Sequence, residues 1–180
     1  MIARMHNAVF GTVERLCSDW LLGLYARFVF LAVVFNYYLA SAMTKVGVGL
    51  TGFFKIQDGA FFQIVPWAME AANYNTDNVA PVWHYVVAAG TYTEFVLPVL
   101  IVIGLFTRIA AVGMLAFILV QSYVDIMFHA VDAETIGSWF DRDPGSVIMD
   151  QRLLWSLILV YLAIKGAGSL SLDRLLTRNR

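Results

Sequence analysis

The residues of this chain that could do chemistry are polar and ionisable side chains set inside long apolar runs. Arg27 interrupts the first run, Glu94 stands midway along the second, and Asp125 lies toward the end of the third. Charges in a hydrocarbon setting are costly and normally turn toward a protein interior or a wet cavity, so their spacing reports which side of a helix is inside. Arg27, Leu31, Val34, Tyr38, Ser41 and Lys45 follow alternating steps of four and three, which is one helical stripe. His84, Thr91, Glu94 and Pro98 fall on a second stripe, and Gln121, Asp125 and His129 on a third at i, i+4 and i+8. Polar faces on three helices predict a hydrated or occupied pocket between them, lined by Arg27, Tyr38, Ser41, Lys45, His84, Thr91, Glu94, Gln121, Asp125 and His129.

Each of these groups has more than one use. Arg27 and Glu94 can neutralise one another as a buried pair, or Glu94 can serve as a proton-accepting or ligand-binding carboxylate. Asp125 and His129 can satisfy one another near the membrane boundary. Joined by His84 they would make a two-histidine, one-carboxylate metal site, but nothing in the spacing makes the three converge, and no metal ligand set is assigned. Tyr37, Tyr38, Tyr92, Trp83 and Trp155 serve as interface anchors and packing, or as walls for a quinone ring. Neither a Ser-His-Asp order nor a Walker loop, a dinucleotide-binding glycine fingerprint or an HExxH motif is present. The lone Cys17 excludes internal disulfides, CxxC redox chemistry, thiolate zinc sites and covalent c-type haem attachment. No intrinsic cofactor is expected, and a bound quinone is left open.

The elements that must position these groups follow from composition. Of 180 residues, 60% are hydrophobic and only 14% charged, and the mean hydropathy is +0.71. Soluble domains are nearer 45–50% apolar, so lipid is the expected solvent. A net charge of −1 excludes a nucleic-acid partner. No cleavable signal peptide is evident, and the first apolar stretch reads as a retained span. Crossing a membrane takes about 20 apolar residues. Trp20–Lys45, Pro81–Phe106, Ile109–Phe128 and Gln151–Leu170 meet that need, the last only if Lys165 snorkels or the helix runs on through Gly166–Leu170. An all-α, four-helix membrane bundle in a single domain is therefore expected. Arg4, Arg15, Arg108, Lys165, Arg174, Arg178 and Arg180 fall on the side of both termini, against Lys45, Lys55, Arg142 and Arg152 opposite, which predicts cytoplasmic termini. The outer segment Val46–Ala80 is too apolar for a solvated loop and reads as an interfacial piece over the bundle mouth. The pocket is expected to open outward beneath it.

Gly104-Leu-Phe-Thr-Arg108-Ile-Ala-Ala111 and Gly166-Ala-Gly-Ser-Leu-Ser-Leu-Asp173, with Glu94 ten residues before Gly104, resemble the DoxX family of small four-helix membrane proteins. Arg27 and Lys45 are similar in place to an Arg and a Lys of that family's first span. The resemblance is best over Ala80–Leu175. Ala40 or Ser41 stands where a glycine is usual, and Val46–Ala80 is longer and more aromatic than the pattern. The resemblance implies a bacterial inner-membrane protein, related to the membrane subunit of thiosulfate:quinone oxidoreductases, that binds a quinone and needs membrane or periplasmic partner subunits to supply electrons. It leaves open a non-catalytic scaffold recruiting partners through Val46–Ala80, and a small-solute or metal transporter acting as an oligomer. Gly104, Arg108, Gly166, Gly168 and Asp173 are read as structural: close helix approach, chain reversal, capping and lipid-phosphate anchoring.

Overall fold

The computed structural model describes residues 1–177, and helices are its only named elements. α1 is Ile2–Cys17, followed after a three-residue link by α2, Leu21–Met43. Three short helices, α3 (Gly49–Gly52), α4 (Asp58–Ile64) and α5 (Pro66–Ala71), lead to α6, Pro81–Ile103. α7 (Thr107–Met127), the short α8 (Ala133–Ile136), α9 (Val147–Lys165) and α10 (Leu172–Thr177) complete the described chain. Among these, α2, α6, α7 and α9 are long and apolar enough to cross a membrane. Arg178 and Arg180, which enter the orientation argument, lie outside the described residues.

The four long helices close into a ring, α2 against α6, α6 against α7, α7 against α9, and α9 back on α2. Their shared core holds Phe30, Val34, Tyr38, Ile101, Met114, Leu159 and Leu162. A second core of Phe61, Val65, Met69, Val79 and Val87 packs α4 and α5 onto the first turns of α6. The 46–80 segment is thus a folded cap.

Two spans differ from expectation, each through a π-helical stretch. In α2 the buried apolar side chains are Ala26, Phe30, Val34, Tyr38 and Ala42, all at steps of four, with Arg27 buried beside Ala26, and Leu31 is exposed. Steps of four on a straight α-helix drift by about 40° each. The wider i→i+5 turn at Phe30–Phe35 absorbs that drift, so Phe30 faces inward where the 3.6-residue stripe places Leu31. The fourth span gains length at its other end: it begins with a π turn at Val147–Gln151, capped by Ser146, and stops at Gly166, where φ is +80°. Gly166–Leu170 does not continue the helix, and Arg152 stands inside the span instead of outside it.

The termini end is closed by the residues of the two distinctive motifs. α6 ends in a Schellman turn, with Leu105 N–H donating to Leu100 O at 3.0 Å and Gly104 in the left-handed region at φ +71°. An added Cβ at Gly104 would lie 2.7 Å from Ser171 Cβ, so glycine is required there twice over. Asp173 accepts from the first amides of α7, Phe106 N–H at 2.7 Å and Thr107 N–H at 3.0 Å. Arg27 donates to Val102 O at 3.0 Å and to Leu170 O, capping carbonyls that a chain reversal leaves bare. Arg108, expected to cap that end, makes no such bond among the described residues. Its guanidinium lies beside Gly166, 3.4 Å from where a Cβ there would stand.

Candidate functional site

Small residues on facing sides of α6 and α7 leave a cleft of about 650 Å³. Val86, Ala89, Gly90 and Thr93 form one wall, and Gly113, Ala116, Phe117, Val120 and Gln121 the other. Both sets repeat at helical spacing, so each wall is a single face of its helix. Toward the termini the two helices meet where Leu97 packs into the space over Gly113, an added Cβ there lying 2.9 Å from Leu97 Cδ1. Toward the loop end Ile64 of α4 rests over Gly90, whose added Cβ would lie 3.2 Å from Ile64 Cδ1. Between those closures Val86, Ala89, Ala116 and Val120 are exposed, so the cleft opens on the flank of the bundle that a bilayer would cover. Gln63 and His129, also exposed, edge it at the loop end.

An ion pair lies at the back. Lys45 Nζ is 2.9 Å from Glu94 Oε2, the two side chains only 2% and 5% exposed. Glu94 therefore pairs with Lys45, and the expected Arg27–Glu94 pair does not form. Lys45 curls back along α2 and donates its remaining hydrogens to Ser41 O at 3.1 Å and Ser41 Oγ at 2.7 Å. A second pair sits further toward the loop end, where Arg152 Nη2 meets Asp125 Oδ2 at 2.6 Å and Nη1 donates to Ser122 Oγ at 2.8 Å. Asp125 thus pairs with Arg152, and not with His129, whose Nε2 is 3.1 Å from Gln63 O. Behind the cleft Tyr38 donates to Gln121 Oε1 at 3.0 Å, and Gln121 donates to the Tyr37 hydroxyl at 2.8 Å.

Of the residues expected around a pocket, Ser41, Lys45, Glu94, Gln121, Asp125 and His129 line this cleft. Tyr38 supports it from behind through Gln121. Thr91 is wholly buried with no partner for its hydroxyl among the described residues, His84 sits edge-on to Phe61 at 4.8 Å, and Arg27 belongs to the termini end. With His84, Asp125 and His129 each turned to a different neighbour, no group of three metal-ligating side chains converges among the described residues. The small residues Ala89, Gly90, Thr93, Gly113 and Ala116 were the part missed by searching for polar groups. Their signal was present as small side chains recurring at helical intervals on consecutive spans.

No protein-family model, curated protein or solved structure matches the chain. What the cleft can do follows from its own side chains. All three hydrogens of Lys45 are engaged, while Glu94 Oε1 and Asp125 Oδ1 carry no bond among the described residues. His129 spends its Nε2 on a carbonyl, which makes that atom the donor and leaves Nδ1 as an acceptor. Donors along the cleft are the Tyr37 and Thr93 hydroxyls and one amide hydrogen each of Gln63 and Gln121, with the Ser41 hydroxyl beside Glu94. The cleft offers donors and acceptors both, and two of the acceptors belong to carboxylates. The cleft suits a ligand with an apolar body and a polar head group that can donate to the two carboxylates.

Proposed function

We propose that this chain is a DoxX-like membrane subunit of a redox system, holding a quinone-like lipid in the cleft between α6 and α7. The observation that carries the reading is the cleft itself: a ligand-sized space, open toward the lipid flank, ending on a buried carboxylate. Its size lies within the roughly 300–1,000 Å³ usual for small-molecule sites. A lipid-soluble ligand would enter sideways from the bilayer, lay its ring between Phe117 and the small residues, and direct its hydroxyls at Glu94 and Asp125. Charge-assisted bonds to the two carboxylates favour the quinol over the quinone. The setting we propose is a bacterial inner membrane, both termini cytoplasmic, with membrane or periplasmic partner subunits exchanging electrons with the bound lipid. Support for that orientation comes from the basic residues near the termini.

The test uses purified protein in lipid nanodiscs, titrated with a short-chain benzoquinol and the matching benzoquinone. Hydrogen bonds to charged groups contribute about 1.5–3 kcal/mol, so quinol should bind at least about tenfold more tightly. Ala116→Phe fills the mouth without entering the core and should weaken binding at least tenfold, leaving the melting temperature unchanged. Binding of neither form above lipid partition, or binding indifferent to Ala116→Phe, would refute the proposal.

The scaffold reading has a narrower base. Of the four phenylalanines in the 46–80 segment, Phe61 is buried and Phe53 packs on Tyr92 and Phe95, which leaves Phe54 and Phe62 exposed. A partner surface there would centre on Leu50 and Phe54, 91% and 78% exposed, and Phe54→Ser should then abolish co-purification of a partner.

A further inference from the structure

The sixteen residues of α1 precede the first span, and none of them is buried. Ile2, Met5, Val9, Val13 and Leu16 recur at steps of three and four, with Phe10 on the flank of the same face. These six side chains are between 51% and 79% exposed, so nothing among the described residues covers them. The opposite face carries Arg4, Asn7, Glu14 and Arg15, and Arg15 folds back onto Gly11 O at 3.1 Å and Thr12 Oγ1 at 3.3 Å. At about 1.5 Å per residue the helix is roughly 24 Å long, short of the ~30 Å hydrocarbon layer and charged along one side, so it is no additional span.

The occupant of the apolar face is fixed by where the helix is tied. Ser18, Asp19 and Trp20 alone separate α1 from α2, a link that reaches about 10 Å when extended. The link is also shortened locally, since Trp20 Nε1 donates to Leu16 O at 2.8 Å. α1 is thus held within one helix diameter of the point where the chain enters the lipid, beside an amphipathic indole suited to that depth. Arg4 and Arg15 would then face headgroup phosphates, on the same end of the bundle as Arg108, Lys165 and Arg174. We infer that α1 is an in-plane anchor, lying on the bilayer surface at the termini end with its apolar face among the acyl chains and its arginines at the headgroups. It adds a lipid contact outside the ring of spans and fixes that end of the bundle against the surface, independently of what the cleft binds.

The experiment uses the full chain in nanodiscs of zwitterionic lipid, with and without anionic phosphatidylglycerol. Cys17 is the only cysteine, so Cys17→Ser gives a clean background. Val9→Cys and Asn7→Cys then place one nitroxide on each face. Oxygen concentrates in acyl chains, whereas a water-soluble nickel chelate stays outside. The ratio of oxygen to chelate accessibility should be at least tenfold higher at position 9 than at position 7. A Val13→Glu variant carrying the position 9 label should lose that difference while the spans stay folded. Equal accessibility at the two positions would overturn the inference. So would shielding of position 9 from both reagents with dipolar broadening between labels, which would assign the face to a second copy.

Discussion

Removing one member of the Lys45–Glu94 pair should destabilise the bundle sharply, and removing both should restore most of the loss. At 2.9 Å the two charges attract by about 6 kcal/mol at an effective dielectric near 20. That attraction offsets the cost of keeping both charges from water, so the intact pair contributes little net stability. The position differs for a single variant. Glu94→Gln leaves an ammonium that is 2% exposed beside Ser41 alone, and Lys45→Met leaves a carboxylate that is 5% exposed with its partner gone. Stranding a buried charge in this way costs about 3–5 kcal/mol. Each single variant should lose that much, whereas Lys45→Met with Glu94→Gln should come within about 2 kcal/mol of the parent, because no stranded charge remains. Unfolding in nanodiscs, followed by tryptophan fluorescence, gives the four corners of the cycle. The coupling should be at least about 3 kcal/mol and favour the double variant. Additive losses, or single losses below about 1 kcal/mol, would show the two groups to be water-exposed and the closed back of the cleft to be wrong.

The Arg152–Asp125 pair should respond the same way but less evenly: Asp125→Asn strands a guanidinium that is 5% exposed and should cost more than Arg152→Met, which strands a carboxylate that is 22% exposed, and unfolding titrations would rank them. Gly104→Ala should destabilise by about 2 kcal/mol or more through its positive φ and the collision with Ser171, while Gly59→Ala, where an added Cβ meets nothing, should be nearly silent in the same melts. Asp173→Ala should cost about 1 kcal/mol as a lost cap and speed amide exchange at Phe106 and Thr107. Outside the spans, Thr135 donates its backbone N–H and its hydroxyl to Asp132 and holds that carboxyl below its ordinary range. A depressed carboxyl stabilises above its unfolded value and loses that stability as pH falls through its folded one. The protection factor of the Thr135 amide, its exchange rate corrected for the intrinsic rate at each pH, should therefore fall on acidification below about pH 4 and stay flat over that range in Asp132→Ala.

The four spans were legible because a long apolar run with few charges has one reading at this length. Polar stripes also named six of the cleft residues, since a charge at depth must face the interior. α1 escaped notice because its apolar residues never form a run: they alternate with Arg4, Asn7 and Glu14 and become continuous only when wound at 3.6 residues per turn. The register of α2 was hidden for a related reason, as nothing local in Phe30–Phe35 announces a wider turn.

The pairing error at Glu94 has a different and more general cause. Depth counted along the sequence assumes that spans start and stop at common levels. Glu94 lies nine residues from the termini end of α6 and thirteen from its loop end, so on that count Arg27 of α2 is the nearer cation. The loop ends of α2 and α6 are not level, however. The first turns of α6, as far as Val87, are taken up by the cap, where Val87 packs with Phe61, Val65 and Met69. α2 stops at Met43, and Lys45 turns back toward Ser41, which brings its ammonium down to Glu94. The cap that lifts the start of α6 above the end of α2 also sets Ile64 over Gly90. One displacement therefore selects the partner of the buried carboxylate and closes the loop end of the cleft that the carboxylate faces. Shortening the cap should disturb both together.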